Sequence, residues 1–187
     1  VISEDTRIRA ALPTIKHVLA EGGTAILASH LGRPKGKPNP KYSLQPVAAY
    51  LGGLLGRQVA FASDCVGGAA AEVIAANPGG VILLENLRFN PGETAKSDEE
   101  RAEFADALAG LADAYVSDGF GVVHRNQASV TDVARLLPNA AGRLVHKEAS
   151  VFGQIMAEPA RPFVVILGGS KVSDKLGVIG SLIPRVD

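Results

Sequence analysis

The sequence predicts a doubly wound α/β fold, a parallel sheet with helices on both faces, followed by the first strand and helix of a second α/β domain. Three observations predict it. Apolar runs of four to six residues, several of them β-branched, recur along the chain, as strands of a covered parallel sheet do. Helix signals lie between those runs, and right-handed crossovers then follow. Near the end, Glu158-Pro159-Ala160-Arg161-Pro162 breaks a helical segment before a fresh apolar run.

In chain order, Pro13 suits a first helical position, with Ile15, Val18 and Leu19 at helical spacing behind it. Thr24 to Ser29 reads as the first strand. Ser43 is a candidate cap for a helix with Val47, Leu51, Leu54 and Leu55 on its apolar face. Strands at Gln58 to Phe61 and Gly80 to Leu84 follow. Ser97 and Glu100 make a capping box ahead of Phe104, Ala105, Leu108 and Leu111. Asp113 to Ser117 is the fourth strand, about His146 to Ala157 a helix, and Pro162 to Leu167 the fifth strand.

Composition narrows the function. Nineteen Lys and Arg balance 19 Asp and Glu in 187 residues, against a basic nucleic-acid binder or an acidic disordered tail. Aromatic residues are only 5% and Trp is absent, which disfavours stacking platforms. A single cysteine, Cys65, closes no intrachain disulfide and fits a reducing compartment. No apolar run reaches the roughly 18 residues of a membrane helix, and no signal peptide is apparent. A cytoplasmic monomer without nucleic-acid or membrane partners is the expectation.

Charge is segregated along the chain. Gly22 to Ser63 holds no acid but five bases, Arg33, Lys35, Lys37, Lys41 and Arg57. Glu85 to Asp113 holds eight acids against three bases. Two solvated faces would explain this equally well. The sharper reading is an anion-attracting loop beyond a strand's C-terminal end, where open α/β sheets bind ligands.

Three loops carry the chemistry. Ser29-His30-Leu31-Gly32-Arg33-Pro34-Lys35-Gly36 follows the first strand, Leu84-Glu85-Asn86-Leu87-Arg88-Phe89 the third, and Asp118-Gly119-Phe120-Gly121-Val122-Val123-His124-Arg125 the fourth. A lone His30 is more often structural, and one exposed arginine means little. Arg33, Arg88 and Arg125 at one topological edge suggest a cluster that forks onto phosphate or carboxylate oxygens. Gly168-Gly169-Ser170-Lys171-Val172-Ser173-Asp174-Lys175 follows the fifth strand, where glycines let backbone amides approach an anion. A glycine turn with two surface lysines is as good a reading of it. The segment is neither a Walker A loop nor a dinucleotide fingerprint. His17, His30, His124 and His146 form no spaced cluster for zinc, and no Gly-x-Ser-x-Gly elbow occurs.

Four segments resemble phosphoglycerate kinase: Arg7-Ile8-Arg9-Ala10-Ala11-Leu12-Pro13, Ser29 to Pro34, Leu83 to Phe89, and the Phe120-Gly121 loop ending in His124-Arg125. Gly168 to Lys175 is similar to the opening of that family's nucleotide domain. The resemblance implies two Rossmann-like domains and phosphoryl transfer between 1,3-bisphosphoglycerate and ADP, giving 3-phosphoglycerate and MgATP. Its implied phosphoglycerate ligands are Arg7, His30, Arg33, Arg88 and Arg125, with Arg7 also facing the transferring group. Gly168, Gly169, Lys171 and Lys175 would meet nucleotide phosphates, Lys171 also the group in flight, and Glu148 matches the hinge-helix acid.

Residues 1–150 would then be the phosphoglycerate-binding domain without its first strand, 151–161 the helix end and linker, and 162–187 the start of the nucleotide-binding domain. The family's Asp and Asn on that first strand, its adenine pocket and its magnesium-holding acid fall outside the matched pattern, so no metal ligand is expected here. Ser117-Asp118-Gly119 also stands where the family commonly has Asn-Asp-Ala. The piece alone is expected to transfer no phosphate, the competing expectation being a non-catalytic phosphoanion-binding fragment or structural remnant.

Overall fold

Helix α1, Thr6–Ala20, opens the fold and buries Ile15. Pro13 lies inside this helix rather than at its start. The ring removes one mid-helix donor, and the apolar face that includes Ile8, Leu12, Val18 and Leu19 packs into the core despite that loss. The computed structural model describes residues 2–168 and 176–187. The chain falls into two compact units, Val1–Val145 and His146–Asp187.

In the first unit, strands β1 (Ala25–Leu27), β2 (Val59–Phe61) and β3 (Val81–Leu83) form a parallel sheet in the order β1-β3-β2. Central β3 shows why the fold is doubly wound. Successive strand side chains point to opposite faces. Val81 packs with Ile15, Ala25 and Leu51, and Leu83 with Leu44 and Ala48. Ile82 joins Phe104, Ala105 and Leu108 of helix α4, Asp98–Ala109, in the largest cluster. All three β3 residues are buried, and Ile82 is wholly so.

The strands are three residues each, shorter than the apolar runs predict, because only the paired cores count as ladder. Helix α2, Gln45–Leu55, has Leu44 at its cap position, not Ser43; the Ser43 hydroxyl oxygen instead accepts from Gln45 N at 3.2 Å. Helix α3, Gly67–Ala75, has no counterpart among the expected elements. The capping box forms by half: Ser97 Oγ accepts from Glu100 N at 3.4 Å, the Ser97 hydroxyl donates to Glu99, and among the described residues the Glu100 carboxylate takes no bond from Ser97 N.

A second parallel sheet pairs β4, Tyr115–Ser117, with β5, Asn139–Ala141, a strand the sequence reading lacks. Between them, a widened turn at Ala128–Asp132 leads into the short helix α5, Val133–Leu136. Helix α6, Arg143–Ala157, starts in the first unit and runs into the second.

The second unit departs most from expectation. Pro162 to Leu167 is not a strand: among the described residues it has no ladder partner, and Ile166 is 93% exposed. An extended run becomes a strand only when a neighbour takes its backbone groups. What holds it is local, Asp187, which accepts from Phe163 N at 2.6 Å and pairs with Arg161 at 2.9 Å. Helix α7, Leu176–Leu182, supplies the expected following helix. Gly169, Lys171 and Lys175 lie outside the described residues; Gly168 is described and exposed.

Candidate anion-binding site

Parallel strands send their following loops to one edge of a sheet. His30 and Arg33 follow β1 and Arg88 sits in a tight turn, Leu87–Phe89, after β3 of the same sheet, while Arg125 ends the loop after β4 of the second sheet. Because α1 leads down into β1, its first turn, with Arg7, returns to that edge.

Electrostatics shows which of these groups meet. His30 is half-buried, and its imidazolium is pushed down to about 4, first by burial and then by the charges of Arg88, Arg125 and Arg7. Arg88 is itself held below its usual value by burial, then by Arg125 and Arg33, with Glu93 opposing. His30, Arg7, Arg33, Arg88 and Arg125 therefore share one field. Among the described residues, none of the five has a carboxylate within ion-pair distance. Arg9 differs, because Asp5 takes its Nε at 2.6 Å. Arg88 Nε is also buried without a hydrogen-bond partner among the described residues.

The loops are fastened by backbone carbonyls. Leu87 N donates to Ser29 O at 3.0 Å, Arg88 Nη1 to Gly32 O at 2.7 Å, and Gly36 N to Arg88 O at 3.2 Å. Gly32 has φ +65, and a Cβ there would overlap the Tyr42 ring, so this turn needs glycine twice over.

Three buried polar residues brace the edge, and the sequence reading gave them no role. Glu85 accepts from Ser43 Oγ at 2.7 Å and Leu44 N at 2.8 Å, which satisfies the start of α2. Asn86 donates to Leu31 O and Tyr42 O. Glu93 accepts from Ser129 N at 3.1 Å and Oγ at 2.7 Å, and burial raises its pKa. The motif Leu84 to Phe89 contains the first two, but Ser43 Oγ, Leu44 N, Leu31 O and Tyr42 O, which they bond, lie elsewhere in the chain.

Two clefts of about 370 and 300 Å³ open beside Pro38, Glu85 and Phe89, and neither His30 nor any of the four arginines lines them. Cys65 is buried, with its thiol pushed up to about 12 chiefly by burial, so it is no nucleophile in this state. Among the described residues, no group of three or more His, Cys, Asp or Glu side chains comes together around a metal position. No described helix is long and apolar enough to cross a membrane.

The family model described as phosphoglycerate kinase matches residues 1–187. The chain belongs to the phosphoglycerate kinase family. It is 60% identical over 191 residues to a phosphoglycerate kinase of Frankia alni, covering all of this chain and 48% of that protein. With one from Salinispora tropica the identity is 59%, covering all of this chain and 47% of that protein. The chain thus spans about half the length of these curated relatives. The crystal structure of the enzyme from Pyrococcus horikoshii OT3 superposes with a TM-score of 0.86 at 32% identity, over 99% of this chain and 46% of that one. The structure of phosphoglycerate kinase from Coxiella burnetii gives 0.81 at 36%, over all of this chain and 46% of that one. The mixed α/β architecture with parallel sheets is that of these neighbours.

Proposed function

We propose that this chain supplies the phosphoglycerate-binding half of a glycolytic phosphotransferase that moves a phosphoryl group between 1,3-bisphosphoglycerate and ADP, giving 3-phosphoglycerate and ATP. One observation carries the reading: four arginines and His30, from four elements, share one field with no ion-paired carboxylate among the described residues. A substrate with a phosphate at one end and a carboxyl or acyl phosphate at the other needs such a surface. His30, Arg33, Arg88 and Arg125 would grip the phosphoglycerate, with Arg7 turned toward the transferring group. Phosphoryl transfer asks a protein mainly for alignment and positive charge on the equatorial oxygens, and arginine provides both.

The nucleotide enters this reading as MgATP, a substrate, and no metal ligand is assigned to the chain. Gly168, Gly169, Lys171 and Lys175 are the proposed phosphate contacts on the nucleotide side, Lys171 also reaching the group in flight. Residues 1–150 are proposed as the phosphoglycerate-binding domain, 151–161 as the helix end and linker, and 162–187 as the opening of the nucleotide-binding domain. A break between compact units at Val145 and His146 supports a division in this region. A glycolytic role puts the protein in the cytoplasm, as a monomer without nucleic-acid or membrane partners.

Calorimetric titration of the chain with 3-phosphoglycerate tests the reading. One-to-one binding that weakens with salt is expected. Replacing Arg88 by Met should weaken it by roughly 1.5–3 kcal/mol, the worth of a hydrogen bond to a charged group. No heat at millimolar ligand, or an unaffected Arg88→Met variant, would refute it.

A further inference from the structure

The cations at this edge repel one another, yet the loops carrying them are held together without an ion pair to any of the five among the described residues. The fastening runs through Asn86, which is 0% exposed. Its Nδ2 donates to Leu31 O at 2.8 Å and to Tyr42 O at 2.9 Å, and its Oδ1 accepts from Arg88 N at 3.1 Å. Both amide hydrogens are used. Leu31 and Tyr42 are the two ends of the excursion that carries Arg33, so one side chain closes the base of that loop and ties it to the Arg88 turn.

We propose that Asn86 is a positioning residue, which clamps the Arg33-bearing loop onto the Arg88 turn so that His30, Arg33 and Arg88 face one bound anion. This rests on the phosphoglycerate reading above. Residue type matters here for a physical reason. The position needs two donors and an acceptor at once, with no charge. Aspartate has the same shape but would set a carboxylate against two carbonyl oxygens. Alanine would leave both carbonyls and Arg88 N–H without this partner. Lysine or arginine would add a cation to a cluster already strained by like charge.

The test compares Asn86→Ala and Asn86→Asp with wild type and with Leu51→Val, a core change in α2, which carries neither His30 nor any of the four arginines. His30 is the reporter, because its depressed titration depends on burial and on Arg88, Arg125 and Arg7 together. The His30 midpoint, read from its ring-carbon signal by NMR, should rise by about one unit or more toward its ordinary value in both Asn86 variants. Affinity for 3-phosphoglycerate should fall by about tenfold or more. Leu51→Val should move neither, even though it lowers thermal stability. An unchanged His30 midpoint and affinity in both Asn86 variants overturns the proposal.

Should those variants not fold, the wild-type Asn86 side-chain amide decides. Hydrogen exchange slower than that of exposed Asn126 by about a hundredfold supports the clamp, and equal rates overturn it. If the wild type binds no 3-phosphoglycerate, the functional reading fails, while the His30 midpoint still decides the positioning role.

Discussion

Acidification is the most direct perturbation of the arginine cluster around His30, because His30 is its one member whose ordinary titration lies near neutrality. Its folded value is about 4, against an ordinary 6.5. The unfolded chain therefore takes the proton first. Stability is complete above about pH 6.5 and declines as pH falls toward 4. A shift of about 2.5 units corresponds to at most about 3.4 kcal/mol. His30 is only half-buried, so solvent screening reduces this to about 1–2 kcal/mol. Guanidinium unfolding at pH 7 and pH 4.5 should show that loss, and His30→Gln should remove it. NMR titration should place the free midpoint near 4, and saturating 3-phosphoglycerate should raise it by offsetting Arg88, Arg125 and Arg7. Arg125→Gln should raise it only partly, since burial is the larger cause. A free midpoint at 6 or above, or one that ignores saturating ligand, would refute the reasoning.

Other perturbations have equally definite outcomes. Ile82→Ala empties the centre of the largest core cluster and should destabilise by about 2–5 kcal/mol in denaturant unfolding. Gly32→Ala should destabilise and weaken ligand binding together; Tyr42→Ala should relieve the overlap but not the strain of a positive φ, so calorimetry should show partial rescue. Glu93→Ala removes both bonds to Ser129 and should destabilise by about 1–3 kcal/mol, read by thermal melting. Cys65 should resist a thiol reagent at pH 8 until the chain unfolds, then react at once.

The parts legible in the sequence were those written in local pattern. Arg33 and Arg88, just past apolar runs, had to fall at one edge once β1 and β3 paired in parallel. Buried strands announced themselves through Val81, Ile82 and Leu83. What escaped had no local trace. Strand β5 is Asn-Ala-Ala, exposed throughout, and exists because β4 pairs with it. Helix α3 opens on two glycines, which read as a turn rather than a start. Pro162 to Leu167 shows the reverse error, apolar content without a neighbour. Asn86 and Glu93 could be quoted from the sequence but not understood, since their partners lie 55 and 36 residues away.

Those hidden partners explain how a cluster of like charges survives folding. Two unit charges about 6 Å apart at an effective dielectric near 20 repel by about 3 kcal/mol, so several arginines on one edge oppose the fold that gathers them. An ion pair to each would relieve the repulsion and close the site. The chain uses neutral acceptors instead: Gly32 O takes Arg88 Nη1 and leaves the guanidinium its full charge. The acid that does act on Arg88, Glu93, works from a distance; its own oxygens are spent on Ser129, which follows the Arg125 loop. Glu93 thus anchors the segment behind one cation while softening another, without capping either. The unsatisfied remainder is an unpaired buried Nε and a histidine kept neutral first by burial and then by its arginine neighbours, and on the proposed reading an entering anion relieves both.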